Sequence, residues 1–258
     1  MSGKILSKIR KLNWVLTEST TGSFSYEQLS AILSEVLNAN VYITGSDGKV
    51  LGAGYINRED SSLMTDRKGM ERLVPAHNQN LLLIKETKAN LTGEEILKMF
   101  GNSYTMSEKY HCIIPSFCGG KRLGTLIAAR YDEAFSEEDI ALCEYGAAVV
   151  GLELQRNNNL LKEEENRNKT SLALALSSLS SSEKDAVFTI LGEFRGDEGE
   201  IVTSKIAEKY HMTNSLVVNA LRKLESAGII RSRSMGMRGT RIKIINPYFR
   251  REAEKLRQ

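Results

Sequence analysis

The sequence predicts an α+β chain of two domains. The first is an antiparallel sheet flanked by helices, the second a helical pair followed by a β-hairpin, and one long helix lies between them. Three observations carry that prediction. Over the first 155 residues, apolar stripes at the 3.6-residue period alternate with β-rich runs that meet at Asp-Gly and Gly-Gly turns. From about residue 137 to 179 no proline interrupts a helical pattern whose middle, QRNNNLLKEEENRNKT, is polar and whose ends are apolar. Charge also divides unevenly. From Ile201 onward 13 lysines and arginines face 4 acidic residues, net +9, while the first 200 residues hold 22 against 28, net −6. A basic end on an acidic body suggests a division of labour in which that end faces a polyanion. A length of 258 residues suits about two domains at ~150 residues each. With 41% hydrophobic and 26% charged residues, the composition excludes wholesale disorder.

The elements follow in order. Ile5, Ile9, Leu12 and Leu16 recur at spacings of four, three and four, the stripe of an amphipathic helix. A second helix is expected from about Tyr26, with Leu29, Ile32, Leu33, Val36 and Leu37 on its apolar face. VYITGSDGKVLGAGYI reads as a hairpin around Ser46-Asp47-Gly48-Lys49, because Asp-Gly accepts the positive φ that tight turns need. Residues 57–90 mix helix and loop signals, and 92–110 give no decisive pattern. Two further strands, 112–117 and 123–129, join through Gly119-Gly120. Ser136 then opens a helix, its hydroxyl accepting from an unpaired backbone N–H while Glu137, Glu138 and Asp139 meet the positive end of the dipole. Ile140, Leu142, Tyr145, Val149 and Leu152 carry its apolar face into the connector. A rigid spacer suits this pattern, the alternative being a break near Asn157. The expected domains are 1–155, a helical linker over 156–182, and 183–258.

Catalytic and metal-binding constellations are missing from the sequence. His77, His111 and His211 are scattered, without HExxH or a His-Cys spacing suited to zinc, and there is no GxSxG. Gly45 to Lys49 shares glycines and a lysine with a phosphate loop but is too short and lacks the following Ser or Thr, so it reads as a plain turn. Cys112, Cys118 and Cys143 form no CxxC, which argues against a disulfide framework. Cys112 and Cys118 read as small buried hydrophobes, with redox chemistry as the alternative. No apolar run reaches the ~20 residues that span a bilayer. The start, MSGKILSKIRKLNWVL, has no apolar core or cleavage site of an export signal. The expectation is a cytoplasmic protein without a membrane partner, not an enzyme and requiring no cofactor or metal.

The C-terminal third is more informative. Ser182-Glu183-Lys184-Asp185 has the capping-box form and is expected to start a helix carrying Val187, Ile190, Leu191 and Phe194. A short helix from Thr203 to Tyr210, a turn at His211-Met212-Thr213 and a second helix from Asn214 to Ala227 then make a helix-turn-helix over about 203–222. Ile206 and Ala207 supply one apolar face, and Leu216, Val217, Ala220, Leu221 and Leu224 the other. The opposite side of the second helix presents Asn214, Ser215, Asn219, Arg222 and Lys223, short polar groups first and cations later. That order suits a helix entering the major groove N-terminus first. Asn can read adenine edges, and hydroxyls suit phosphate. Thr203, Ser204, Lys205 and Thr213 join this set of candidate DNA contacts. Strands 229–234 and 240–245 enclose Met235-Gly236-Met237-Arg238-Gly239 as a wing. Ser232, Arg233, Ser234, Arg238 and Thr240, with Arg231 and Arg241, are placed to reach phosphates or a narrow minor groove. This is a winged helix-turn-helix for double-stranded DNA, the plainer alternative being a winged helix used for protein contacts. Ser215 is also a candidate phosphorylation site, since a phosphate there would bring about −1.5 to −2 charges to the DNA-facing side.

Two passages carry a family resemblance. NSLVVNALRKLESAGIIRSRSMGMRGTRIKI closely resembles the recognition helix and wing of the CodY family, global nutrient-responsive transcriptional repressors of bacteria, and GGKRLGTLIAARYDEAFSEEDIALCEYGAAVVGLEL resembles the end of that family's ligand-sensing GAF domain. The resemblance implies an N-terminal GAF-type sensor domain, a long helical linker and a C-terminal winged helix. It also implies a homodimer on an A·T-rich inverted repeat, with branched-chain amino acids (isoleucine among them) and GTP as small-molecule effectors. It places amino-acid contacts at Leu63, Arg67 and Phe100, and nucleotide contacts at Lys49 and Glu153. Better-known members carry an arginine for the carboxylate where this chain has Leu63, which cannot hold one, and Arg67 stands one turn away. Their nucleotide site has two arginines where Ser46 and Asp47 stand here, and a linker lysine is replaced by Asn158. The loop near residues 97–105 is two residues shorter and lacks an aromatic-proline pair.

The sequence thus points to a dimeric DNA-binding regulator, mainly a repressor, whose ligand-sensing halves set the spacing of two winged helices. A ligand shifts DNA affinity only by binding one arrangement better than the other. Two rivals differ in class: a GAF-based redox enzyme using Cys112 and Cys118 with an accessory winged helix, and an architectural protein without sequence preference.

Overall fold

The computed structural model describes residues 2–18, 24–57, 64–65, 71–73, 75–100 and 108–255. The chain divides into two compact units, Met1–Asn158 and Asn159–Gln258. The expected α+β architecture, a helix-flanked antiparallel sheet, a long helix and a C-terminal helix-turn-helix, is what the chain adopts.

In the first unit, helices α1 (Ser2–Glu18) and α2 (Tyr26–Leu37) precede the hairpin β1 (Asn40–Gly45) and β2 (Val50–Gly54). A short ribbon, β3 (Met64–Thr65) and β4 (Glu71–Arg72), leads to α3 (Pro75–Leu83), β5 (Lys88–Leu91) and α4 (Gly93–Phe100). The long hairpin β6 (Tyr110–Cys118) and β7 (Lys121–Arg130) then feeds α5 (Glu137–Ser177). The main sheet is antiparallel in the order β2-β1-β7-β6-β5. Strand alternation sorts its side chains. Val41, Ile43, Cys112, Ile114, Leu126 and Ala128 pack under α1, α2 and the start of α5, while Ile113 joins Leu81, Ile84 and Ile96 in a smaller cluster under α3 and α4.

Segments that lack a decisive pattern in sequence have local causes in the structure. Thr92 and Glu95 cap α4 reciprocally: the Thr92 hydroxyl accepts from the Glu95 amide (3.4 Å) and the Glu95 carboxylate accepts from the Thr92 amide (2.8 Å). Helix α2 lies so close to β2 that a Cβ at Gly54 would stand 2.1 Å from the Ser30 carbonyl oxygen, so that position admits only glycine. Arg130 ties three elements together. Its guanidinium donates to the carbonyls of Leu37 (2.8 Å) and Ala134 (2.7 Å), pairs with Asp139 (2.9 Å) and lies 4.3 Å over the Phe135 ring. The Ser136 hydroxyl accepts from the Asp139 amide at 3.2 Å and caps α5.

Helix α5 runs 41 residues without a break near Asn157. Leu142, Cys143, Ala147 and Val150 belong to the core of the first unit, and Leu172, Ala175 and Leu176, with Leu179, to that of the second. The apolar end of the 156–182 span is therefore core, and the polar residues before it are largely exposed.

The second unit continues with α6 (Ser181–Gly192), β8 (Glu198–Ile201), α7 (Thr203–Lys209), α8 (Asn214–Ser226), β9 (Ile230–Ser234), β10 (Thr240–Ile244) and α9 (Phe249–Lys255). The capping box of α6 is set two residues earlier than the sequence pattern suggested: Ser180, not Ser182, is the cap, and Glu183, not Asp185, closes the box. Glu183, one methylene longer than Asp185, has the reach to accept from the Ser180 amide at 2.8 Å, and Leu179 beside the cap is buried. The wing is a three-stranded sheet, β8-β10-β9, rather than a lone hairpin. It closes at Gly239, where φ is +102° and a Cβ would meet the Ile201 carbonyl oxygen at 2.2 Å. Arg250 of α9 donates to the carbonyls of Leu191 (3.1 Å) and Gly196 (2.7 Å), covering the end of α6.

Two outcomes follow from these contacts. Gly54→Ala should destabilise the chain by about 1–3 kcal/mol, read as a lower urea midpoint at unchanged slope. Burial alone would raise the Asp139 carboxyl, but the Ser136 amide and hydroxyl and the Arg130 guanidinium outweigh it and hold the group below the ordinary range. A carboxylate held low contributes stability above its unfolded pKa of about 3.9 and loses it as pH falls through the lowered folded value. Asp139→Asn should therefore be less stable than the parent at pH 7 and lose less stability below about pH 4, measured by urea unfolding across pH.

Candidate nucleic-acid interface

The interface is built from α7, α8 and the wing. His211, in the left-handed region at φ +54°, makes the turn between the two helices. Thr213 caps α8, its hydroxyl accepting from the Leu216 amide at 3.3 Å and from the Ser215 hydroxyl at 3.2 Å. Helix α8 buries Val217, Ala220, Leu221 and Leu224. At about 100° per residue, Ser215, Asn219 and Arg222 form one line on the opposite side; these three and Asn214 are exposed.

The flanks of that line are occupied. On one, the Lys223 ammonium donates to Glu183 (2.7 Å) and to the Ser178 carbonyl (3.2 Å). On the other, Glu225 accepts from both the amide and the hydroxyl of Ser232, each at 2.7 Å, and those two bonds hold its carboxyl below the usual range. Ser232, a candidate DNA contact by sequence, anchors the wing to α8. Thr213 serves as the helix cap.

Strand alternation places Arg231, Arg233, Arg241 and Lys243 on the exposed face of the wing, Arg231 opposite Lys243 and Arg233 opposite Arg241. Arg241 is neutralised by Glu200 at 2.6 Å, with Glu198 at 3.7 Å. Lys209 pairs with Glu193 at 2.9 Å. Among the described residues Lys205, Arg222, Arg231, Arg233, Arg238 and Lys243 make no ion pair. Ser204 and Lys205 are exposed in the first turn of α7, Arg238 at the wing tip, and Ser234 on β9, with Thr203 and Thr240 half-buried. By residue type and spacing alone, Lys223 and Ser232 belong with these residues. Their partners lie 40 and 7 positions away, which no local pattern shows.

The effector candidates are more dispersed. Leu63 and Arg67 lie outside the described residues, as does most of the loop near 97–105. Phe100 packs with the small cluster under α3 and α4, its ring 5.2 Å from that of His77, whose burial lowers the imidazole pKa. Lys49 follows the β1–β2 turn, where Asp47 accepts from the Lys49 amide at 3.1 Å and Asn78 donates to the Ser46 carbonyl at 3.1 Å. Glu153 pairs with Arg156 at 3.5 Å, and Asn158 is exposed. No hydrogen bond or ion pair joins Lys49 to Glu153 among the described residues.

Cys112 and Cys118 stand six positions apart on one strand, about 20 Å at 3.3 Å per residue, far beyond disulfide reach. Burial pushes the Cys112 thiol up to about 11, away from a reactive thiolate. Among the described residues no group of three or more His, Cys, Asp or Glu could hold a metal, and no helix is long and apolar enough to cross a membrane.

Known proteins match along nearly the whole chain. Residues 4–178 match the family described as the CodY GAF-like domain, and residues 197–257 the CodY helix-turn-helix domain. The global transcriptional regulator CodY of Clostridium perfringens (strain SM101 / Type A) is 41% identical over 255 residues, covering 98% of this chain and 99% of that protein. Its counterpart in Clostridium acetobutylicum is 43% identical over 244 residues, covering 94% and 95%. A solved structure described as the cofactor binding GAF domain of the nutrient sensor CodY from Clostridium difficile is 39% identical. It covers 60% of this chain and 99% of that one, with a TM-score of 0.49.

The pattern of paired and unpaired cations predicts which ones govern the salt dependence of duplex binding. Arg222→Ala and Arg233→Ala should each flatten the slope of log affinity against log salt by about 0.9, whereas Arg241→Ala should leave it nearly unchanged. Fluorescence anisotropy on a labelled duplex over a range of salt concentrations measures this.

Proposed function

The chain belongs to the CodY family of global transcriptional regulators, and from that premise we propose that it works as a homodimeric repressor in the cytoplasm, gripping an A·T-rich inverted repeat with two winged helices. It is a DNA-binding regulator with a GAF sensor and a helix-turn-helix domain, not an enzyme. One observation supports the mode of binding: the exposed line Ser215, Asn219 and Arg222 on α8 shares a unit with an exposed wing face bearing Arg231 and Arg233. Asn219 is placed to read a base edge, Asn214 and Ser215 to meet the backbone near the helix start, and Arg222, Lys205, Arg233 and Arg238 to neutralise phosphates. Thr203, Ser204, Ser234 and Thr240 fill in around them. Residues 1–155 sense, 156–182 connect and 183–258 read DNA.

The GAF domain of the C. difficile relative is described as cofactor binding and that protein as a nutrient sensor, which supports a small-molecule effector here. A branched-chain amino acid such as isoleucine suits the apolar cluster that Phe100 packs against, and by family resemblance alone Arg67 would stand in for Leu63 as the cation for its carboxylate. GTP fits the chain poorly, because the β1–β2 turn beside Lys49 carries the Asp47 carboxylate, which repels a triphosphate. Ser215, exposed at the start of α8, is the site where phosphorylation would oppose DNA binding.

Titration of full-length protein against an A·T-rich palindrome and its scrambled sequence, with isoleucine, leucine, valine and GTP added separately, tests these assignments. The palindrome should bind more tightly, a branched-chain amino acid should shift that affinity, and GTP should not. Asn219→Ala should lose on the order of 1–3 kcal/mol on the palindrome and little on scrambled duplex. Equal affinity of the parent for both duplexes would leave an architectural protein.

A further inference from the structure

Lys223 stands at the edge of the DNA-facing side of α8 with its ammonium already engaged. The Glu183 Oε2 that it meets at 2.7 Å is the same oxygen that accepts from the Ser180 amide at 2.8 Å to close the capping box of α6. Its second partner, the Ser178 carbonyl at 3.2 Å, belongs to the residue just after α5. One side chain of α8 therefore holds both the end of the long helix and the start of the next. The Glu183 side chain is only 10% exposed against 44% for Lys223, so the carboxylate is the member that suffers when the pair is broken. In keeping with this, the Lys223 ammonium and then the Ser180 amide hold the Glu183 carboxyl below its ordinary range. With Glu225 tied to the wing on the other flank and Val217, Leu221 and Leu224 buried behind, α8 is fixed on every side but the one that carries Ser215, Asn219 and Arg222.

We propose that the Lys223–Glu183 pair is a latch that sets the pitch of α8 against the α5–α6 junction, making Lys223 a positioning residue for DNA binding rather than a phosphate contact. The role of the latch rests on the DNA binding proposed above. An ammonium held in this way releases no counterion from DNA, so its loss changes affinity without changing the salt dependence. A displacement at the end of α5 reaches the recognition helix through this side chain as well as through the apolar core that the two helices share.

The test compares the full-length parent with Lys223→Met, which keeps the aliphatic stem, Glu183→Gln, which keeps a capping-box side chain while losing the charge, and the double variant. Each is titrated with the A·T-rich palindrome at several salt concentrations, after its fold has been checked by circular dichroism and melting. Both single variants should bind roughly three- to tenfold more weakly, the double variant no more weakly than either, and all slopes should equal the parent's. A slope flattened by about 0.9 in Lys223→Met, or binding by Glu183→Gln as tight as the parent's or tighter, overturns the latch: the first means that the ammonium touches phosphate, the second that the pair does not position α8. If Glu183→Gln fails to fold, the slope of Lys223→Met decides alone. A parent that cannot tell palindrome from scrambled duplex overturns the DNA reading and the latch with it, whereas a discriminating parent with an unaffected Glu183→Gln overturns the latch only.

Discussion

One uninterrupted helix has to serve two hydrophobic cores. Leu142, Cys143, Ala147 and Val150 of α5 belong to the first, and Leu172, Ala175 and Leu176 to the second, so neither unit is complete without a share of it. Between those segments the helix has little to pack against and depends on intrinsic propensity and local pairs such as Glu165 with Lys169 at 2.6 Å. The start of α5 is fixed by Ser136 and by the Arg130–Asp139 pair, and its end by the frame of the following helix.

In the second unit, most of the chemistry lies in deciding which charges remain available. A net charge of +9 from Ile201 onward overstates the DNA-facing surface. Lys209, Lys223 and Arg241 are matched by Glu193, Glu183 and Glu200, and Arg250 serves backbone carbonyls. Internal pairing turns a diffuse basic character into a line on α8 and a face on the wing. Polar groups undergo the same sorting: Thr213 and Ser232 are taken up in hydrogen bonds within the unit, while Asn219 is exposed.

Sequence patterns located α1, α2, α5, α7, α8 and both long hairpins, because apolar period and turn chemistry are local properties. Helix α4 was equally local in its Thr92–Glu95 cap, but it is only 8 residues long and offers too few apolar positions for a clear period. Strand β8 is shorter still, and its pairing with β10 joins residues some 40 positions apart, as Ile201 with Thr240. From sequence the cap of α6 falls at Ser182 with Asp185, whereas Ser180 and Glu183, two residues earlier, form the fuller Ser-x-x-Glu box. The exposed polar and basic residues of α7, α8 and the wing were legible as a set, yet the internal partners of Lys223 and Ser232 were not, since only the folded chain brings those carboxylates near. Leu63 and Arg67 were singled out through family resemblance, and they lie outside the described residues.

The burial of two of the three cysteines has a practical corollary. Cys112 and Cys143 are sealed in the sheet-and-helix core, and that enclosure disfavours ionisation of both thiols. Cys118, at the end of β6 beside the Gly119-Gly120 turn, is the partly exposed one. Under native conditions a maleimide fluorophore would meet a single accessible sulfur, giving the sensor half a reporter group at a defined position without any engineered residue.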